Sequence, residues 1–223
     1  MSRSSNLNEV RWTSITKKSP TINKWDWTGN VGGADFLRYF DNNNTLQRLG
    51  RLRTHYQYTG PNLTKVAYAG ITRDQAIEAK IWTHLGRTDD LVRAYYRLDY
   101  TFLEEVQYSR LALFQMAADN YADNGFSRYA YGHGEQTLFD AEVPTHQNRG
   151  YASPSDRGIP LPGDAPWVMA YANTRTGDNL PERLANIGFI VRQYRAVLGG
   201  QEITTPHINI VRTFNGGWSQ MAF

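Results

Sequence analysis

The stretch "AIEAKIWTHLGRTDDLVRAYYRLDYTF", residues 76–102, alternates apolar and polar side chains almost throughout and breaks once, at GRTDD. A period of two belongs to the pleated strand, whose successive side chains point to opposite faces; a helix would need apolar residues at every third or fourth position. The stretch therefore predicts two long strands joined by a turn. The same signature predicts strands near 8–15, 35–40, 46–59, 63–70, 107–118, 126–132, 166–173, 185–198 and 203–214, besides 75–86 and 90–104. TGNVGG, DNNN, TGPN, ADNG, GDAP and LGG supply the remaining turns. The helical candidates are short; one is LPERLANIG, and the segment after it alternates like a strand. Residues 140–166, rich in proline and glycine, predict one long loop. No helical crossover of a dozen residues lies between strands, which disfavours a parallel α/β sheet. The expectation is an all-β fold, an antiparallel β-sandwich or jelly roll, with residues 1–223 as one domain. Aromatic residues alternate to the end of the chain, so a fragment or excised domain is expected, with other domains of the same polypeptide as partners.

Composition narrows the function classes. A net charge of +3 over 223 residues is far from the charge density of a dedicated nucleic-acid binder, and no nucleic-acid partner is expected. No apolar run reaches the ~20 residues that span a bilayer, so no membrane partner is expected either; the N-terminus has no signal-peptide core. Cysteine is absent, which excludes disulfides, thiol catalysis and thiolate metal sites. GxSxG, HExxH, P-loop and GxGxxG motifs are absent too. His55, His84, His133, His146 and His207 lack tight metal-ligand spacing. No cofactor is expected; a structural calcium ion has one place, DNYADNG, whose glycine spacing fits an Asx-rich turn better than an EF-hand.

Arg far outnumbers Lys, which suits bidentate recognition of carboxylates. Sorting each strand by parity shows where those Arg residues fall. On 76–85, Ile77, Ala79, Ile81, Thr83 and Leu85 form the core set, opposed by Glu78, Lys80, Trp82 and His84. On 92–102, Val92, Ala94, Tyr96, Leu98, Tyr100 and Phe102 oppose Arg93, Tyr95, Arg97, Asp99 and Thr101. "RLRTHYQY" sets Arg51, Arg53, His55 and Gln57 against Leu52, Thr54, Tyr56 and Tyr58. On 188–198, Arg192 and Tyr194 fall opposite Phe189 and Val191.

A tight hairpin then places Trp82 and His84 beside Arg93, Tyr95 and Arg97 on one surface. Flat aromatics stack on sugar rings, Arg forks hold carboxylates and a His titrates near neutrality, so this face suits an acidic polysaccharide. The plain alternative is a solvated strand face, since Trp and Tyr also have high β-propensity. Gln115 interrupts an apolar strand, either as a core amide or as a substrate contact. "RYAYGHG" puts Tyr129, Tyr131 and His133 at a strand end beside glycines, where catalytic groups often sit. Glu104 and Glu105 are adjacent and point to opposite faces; Glu78 and Asp99 can approach across the hairpin as a glycosidase pair or sit in a salt-bridge network with Arg.

Over residues 46–214, "RLRTHYQY", "EAKIWTH", "RAYYRLD" and "RYAYG" resemble the strands of concanavalin A-like jelly-roll carbohydrate-active proteins, nearest to polysaccharide lyases of the alginate, glucuronan and ulvan type. The Arg-x-Glu-x-Arg, Gln-Ile-His and Tyr-x-Lys strands of those lyases are not reproduced. The resemblance implies β-elimination from a uronate polymer, in an extracellular or periplasmic setting. It implies His84 and Tyr95 as base and acid aided by Tyr131, and Arg93, Arg97 and Arg53 as carboxylate clamps. Trp82 would stack on a neighbouring sugar, with Arg51, His55, Glu78, Lys80 and Gln115 as further contacts. A carbohydrate-binding module, a glycoside hydrolase or a purely structural domain are the competing expectations.

Overall fold

The computed structural model describes residues 2–3, 9–13, 30–87, 92–119, 128–142, 158–171, 186–212 and 218–222. Among them every regular element is a strand and every pairing is antiparallel. One sheet runs β1 (Ser2–Arg3), β2 (Glu9–Thr13), β3 (Asn30–Asp41), β8 (Tyr108–Asp119), β17 (Trp218–Ala222), β16 (His207–Arg212), β11 (Ile159–Pro160). A second is the meander β4 (Leu49–Thr59), β5 (Leu63–Thr72), β6 (Ile77–Arg87), β7 (Val92–Phe102). A third has the order β10 (Gln136–Glu142), β9 (Arg128–His133), β12 (Pro166–Tyr171), β13 (Asn186–Ile190). β14 (Ala196–Leu198) and β15 (Gln201–Ile203) form a separate hairpin.

The three large sheets share one core. Phe36, Leu37 and Tyr39 of β3 and Phe114 of β8 cluster with Ile77, Ala79 and Ile81 of β6 and with Tyr129 and Val168 of the third sheet. Phe36 meets Tyr96 of β7 at a ring separation of 5.3 Å, and Phe114 meets Phe189 of β13 at 5.9 Å. Each such ring contributes roughly 1.5–3 kcal/mol by leaving water. The seven-stranded sheet therefore packs against both four-stranded sheets, an arrangement compatible with a β-sandwich. Two hydroxyls tie the layers at fixed points: Tyr100 donates to the Leu113 carbonyl at 2.8 Å, and Tyr39 bonds to Asp74 in the β5–β6 turn.

Local chemistry fixes the turns that hold the second sheet. In the DNNN turn, the Asp41 carboxylate accepts the amides of Asn43 and Thr45, each at 2.9 Å, and Asn44 takes φ 60°. Between β5 and β6, Thr72 donates to Asp74 at 2.5 Å and accepts the Ile77 amide at 3.0 Å.

Several boundaries differ from the sequence expectation. The predicted strand 185–198 is two strands, because β13 makes its last ladder bond from the Val191 amide to the Pro166 carbonyl, beyond which β12 offers no partner. The strand predicted over 203–214 starts at His207, directly after Pro206, which has no amide to donate. The loop predicted over 140–166 gives way at both ends: residues 140–142 finish β10, and Ile159–Pro160 pair with β16. Its middle lies outside the described residues, as does most of DNYADNG and of LPERLANIG, whose last residues belong to β13. β10 itself escaped prediction because a bulge between Thr137 and Phe139 interrupts its alternation.

Candidate functional site

β6 carries no bulge, so its parity holds along its length. Ile77, Ala79, Ile81 and Thr83 are buried, while Glu78 and Lys80 are exposed and Trp82 and His84 half-buried on the other side. β7 repeats the pattern, with Tyr95 and Arg97 exposed. Register then sets the outward side chains in rows across the sheet. Arg53, Ala69, Lys80 and Asp99 form one row; His55, Ala67, Trp82 and Arg97 the next; Tyr58, Lys65, His84 and Tyr95 the third. Glu78 lies beyond the first row, between Ile71 and Thr101.

The centre of this face is low because β5 contributes only Ala67 and Ala69 there. Arg53 and His55 rise on one side and Lys80 and Trp82 on the other, enclosing an open depression of about 210 Å³. The alternating small residues of "VAYAG" carried this signal in the sequence, read against larger neighbours on either side.

Electrostatics divides the cations of the face into two groups. Arg97 is engaged: Nε and Nη2 donate to the two carboxylate oxygens of Asp99 at 3.3 and 3.0 Å, and its guanidinium lies 5.0 Å from the Trp82 ring centre. Asp99 holds the Arg97 pKa above its ordinary value, chiefly through those hydrogen bonds. Arg53, Lys65 and Lys80 make no ion pair with a described carboxylate, although Lys80 stands opposite Asp99 in register. His84 and Tyr95 are direct cross-strand partners, a relation that brings Cβ atoms to about 4.5–5.5 Å.

Two bulges in β4 decide what its edge presents. At the first, Arg51 and Leu52 together oppose Gly70, with Arg51 at φ 47° and exposed. A Cβ on Gly70 would lie 2.6 Å from Leu52 Cδ2 and 2.9 Å from the Gly50 carbonyl, so the bulge needs glycine opposite it. At the second, Gln57 is the extra residue. Tyr56 pairs with Val66 but Tyr58 with Lys65, so the two tyrosines, expected on one face, lie on opposite ones.

The face thus gathers Arg53, His55, Glu78, Lys80, Trp82, His84, Tyr95 and Arg97, with Arg51 at the bulge and Arg93 paired through its backbone to Gly86 at the hairpin end. Two expected members are elsewhere. Gln115 is 3% exposed in β8 and accepts a hydrogen bond from Arg110, the core-amide outcome. Tyr131 stacks on Phe139 at 5.3 Å and packs against the core from the third sheet. Three unpredicted members join: Tyr58, Lys65 and Arg192, the last following β13 and reaching 5.8 Å from the Tyr95 ring centre. No group of three or more His, Asp or Glu among the described residues is placed to hold a metal ion.

Compared with known proteins, the chain matches no family model, no curated protein and no solved structure.

Proposed function

We propose that the outer face of β4–β7 binds an acidic, uronate-containing polysaccharide and cleaves it by β-elimination. One observation carries the reading: Arg53, His55, Lys80 and Trp82 surround an open depression, and the cross-strand pair His84–Tyr95 stands one row away. Stacking aromatics and cations not engaged by carboxylates on an exposed sheet face suit a chain-like anion better than a small enclosed ligand.

In this chemistry His84 removes the proton at C5 of the uronate, and the C–H electrons become the C4–C5 double bond. The C4–O bond breaks, and Tyr95 delivers a proton to the departing oxygen. The carboxylate gains charge as C5 is deprotonated, and fixed cations aimed at it lower the barrier. An extracellular or periplasmic setting and a concanavalin A-like jelly-roll topology belong to this reading, which rests there on the strand motifs.

The glycosidase reading through Glu78 and Asp99 has less support. Asp99 has both oxygens on Arg97, and Glu78 is its diagonal neighbour across the sheet. A binding module without turnover has one observation in its favour, the openness of a face on which Tyr95 is 49% exposed. The test is near-ultraviolet absorbance over time with alginate, glucuronan, ulvan, pectate and glycosaminoglycans. A rise abolished by His84→Ala or Tyr95→Phe supports elimination at this pair. A flat trace with retained binding in affinity gels moves the reading to a binding module.

A further inference from the structure

The row Tyr58–Lys65–His84–Tyr95 is completed at both ends by residues that regular alternation would not put there. At the β4 end, the Gln57 bulge brings Tyr58 opposite Lys65, with the tyrosine 52% exposed. At the β7 end, Arg192 arrives from the segment after β13, a strand of the third sheet, and sets its guanidinium over Tyr95. Lys65 thus stands beside His84 and Arg192 over Tyr95, so each member of the pair has a cation next to it. Neither cation makes an ion pair with a described carboxylate, and the acidic residues of the face, Glu78 and Asp99, lie at least two rows away.

We propose that Lys65 and Arg192 form a carboxylate-binding subsite above His84 and Tyr95, with Tyr58 stacking on the sugar held there. This rests on the reading of the face as a uronate-polymer site and says where the reacting carboxylate sits. Lys65 and Tyr95 stand two strands apart, about 10 Å at the usual strand spacing, and their row leaves the gap between them to His84. A pyranose ring fits that gap, with a flexible ammonium on one side and a planar fork on the other. The depression over Ala67 and Ala69 begins one row on, roughly 7 Å along the strands, and takes the neighbouring sugar. Arg53 and Lys80 then serve that second sugar, and Arg97, held by Asp99, flanks Trp82.

The test compares binding of the full chain to a uronate polymer from the panel above with binding to the same polymer after its carboxylates are reduced to alcohols. Lys65→Ala and Arg192→Ala are each expected to weaken binding of the acidic polymer about tenfold or more, the scale of a lost charged hydrogen bond. Both should weaken binding of the reduced polymer much less, since its alcohol accepts a hydrogen bond without carrying charge. The double variant should lose less than the product of the two single losses, because both residues hold one carboxylate. Arg192→Lys should recover part of the loss, and Tyr58→Ala should weaken both polymers alike. Wild-type affinity in the Arg192→Ala and Lys65→Ala variants, with affinity lost in Arg53→Ala, overturns the subsite while the polysaccharide reading stands. Failure of the wild-type chain to bind any uronate polymer overturns both.

Discussion

The Arg97 guanidinium lies 5.0 Å from the centre of the Trp82 ring and is fixed there by paired hydrogen bonds to Asp99. Two of its N–H donors are thereby committed to Asp99, which partly offsets its charge, so it serves the aromatic ring as a flank more than the face as a free cation. Asp99 in turn has both oxygens committed, which leaves it poorly suited to proton transfer.

Asp99→Asn should therefore leave most of the eliminating activity in place, with a modest loss from a less ordered Trp82 and Arg97. Release of unsaturated product over time checks this. Were the face a glycosidase using Asp99, the same substitution would remove turnover by several orders of magnitude, and the product would be a reducing end without near-ultraviolet absorbance.

The floor of the depression offers a second handle. Ala67 faces outward between His55 and Trp82, so Ala67→Phe fills the hollow without entering the core. Affinity for the acidic polymer should fall tenfold or more, with folding stability changed by about 0.5 kcal/mol or less, as for most surface substitutions. Affinity electrophoresis beside a thermal melt separates the two effects.

What the sequence disclosed, and what it hid, follows from bulges and from contacts between sheets. Trp82, His84, Tyr95 and Arg97 could be assigned to one face because β6 and β7 pair residue for residue from Ile77 to Arg87. Tyr58 could not, because one extra residue at Gln57 reverses the parity of everything after it. β10 was lost to the same device near Leu138. Arg192 was beyond reach for another reason: its partner Tyr95 is nearly a hundred residues away in a different sheet, and no periodicity encodes that contact. For Gln115 the residue type alone left two outcomes open, and the choice between core and surface was made by where β8 lies in the seven-stranded sheet.

Thr83 is fully buried beside Tyr96 in register, and neither hydroxyl has a hydrogen-bond partner among the described residues. A buried, unsatisfied hydroxyl costs about 1–3 kcal/mol. Thr83→Val keeps the shape and removes that cost, so the urea midpoint should rise by an amount worth about 1 kcal/mol. Ile81→Ala, two residues earlier on the same buried face, should lower stability by about 2–5 kcal/mol through the cavity it leaves.

Alkali should unfold the protein through its buried and half-buried tyrosines. Burial and the bond to Asp74 push the Tyr39 pKa up to about 12, and burial also raises Tyr96, Tyr100 and Tyr194. A raised folded-state pKa means that the native chain binds more protons than the unfolded chain above pH ~10. This contribution to stability is complete below pH ~10 and falls away as the pH climbs through about 12. Phenolate absorbance should show one group of tyrosines ionising only together with loss of tertiary structure. Tyr39→Phe should reduce the alkaline slope.

Acid acts on the third sheet through Asp140. Its carboxylate accepts the Tyr171 hydroxyl at 2.7 and 2.6 Å to its two oxygens and pairs with Arg128 at 3.0 Å, joining three strands of the third sheet. The Tyr171 hydrogen bond, ahead of the Arg128 contacts, holds the Asp140 pKa below the ordinary carboxylate value; backbone and side-chain amides around Asp41, led by Thr45, do the same there. A depressed folded-state pKa gives stability that is present above the unfolded pKa near 4 and is lost as the pH drops through the folded one. The urea midpoint should therefore fall on acidification below pH ~4. In Asp140→Asn the midpoint at neutral pH should be lower and the acid-dependent fall smaller, and Tyr171→Phe should reproduce the smaller fall with Arg128 still in place. An unchanged acid slope in both variants would show that the Arg128–Asp140–Tyr171 cluster does not tie these strands together in solution.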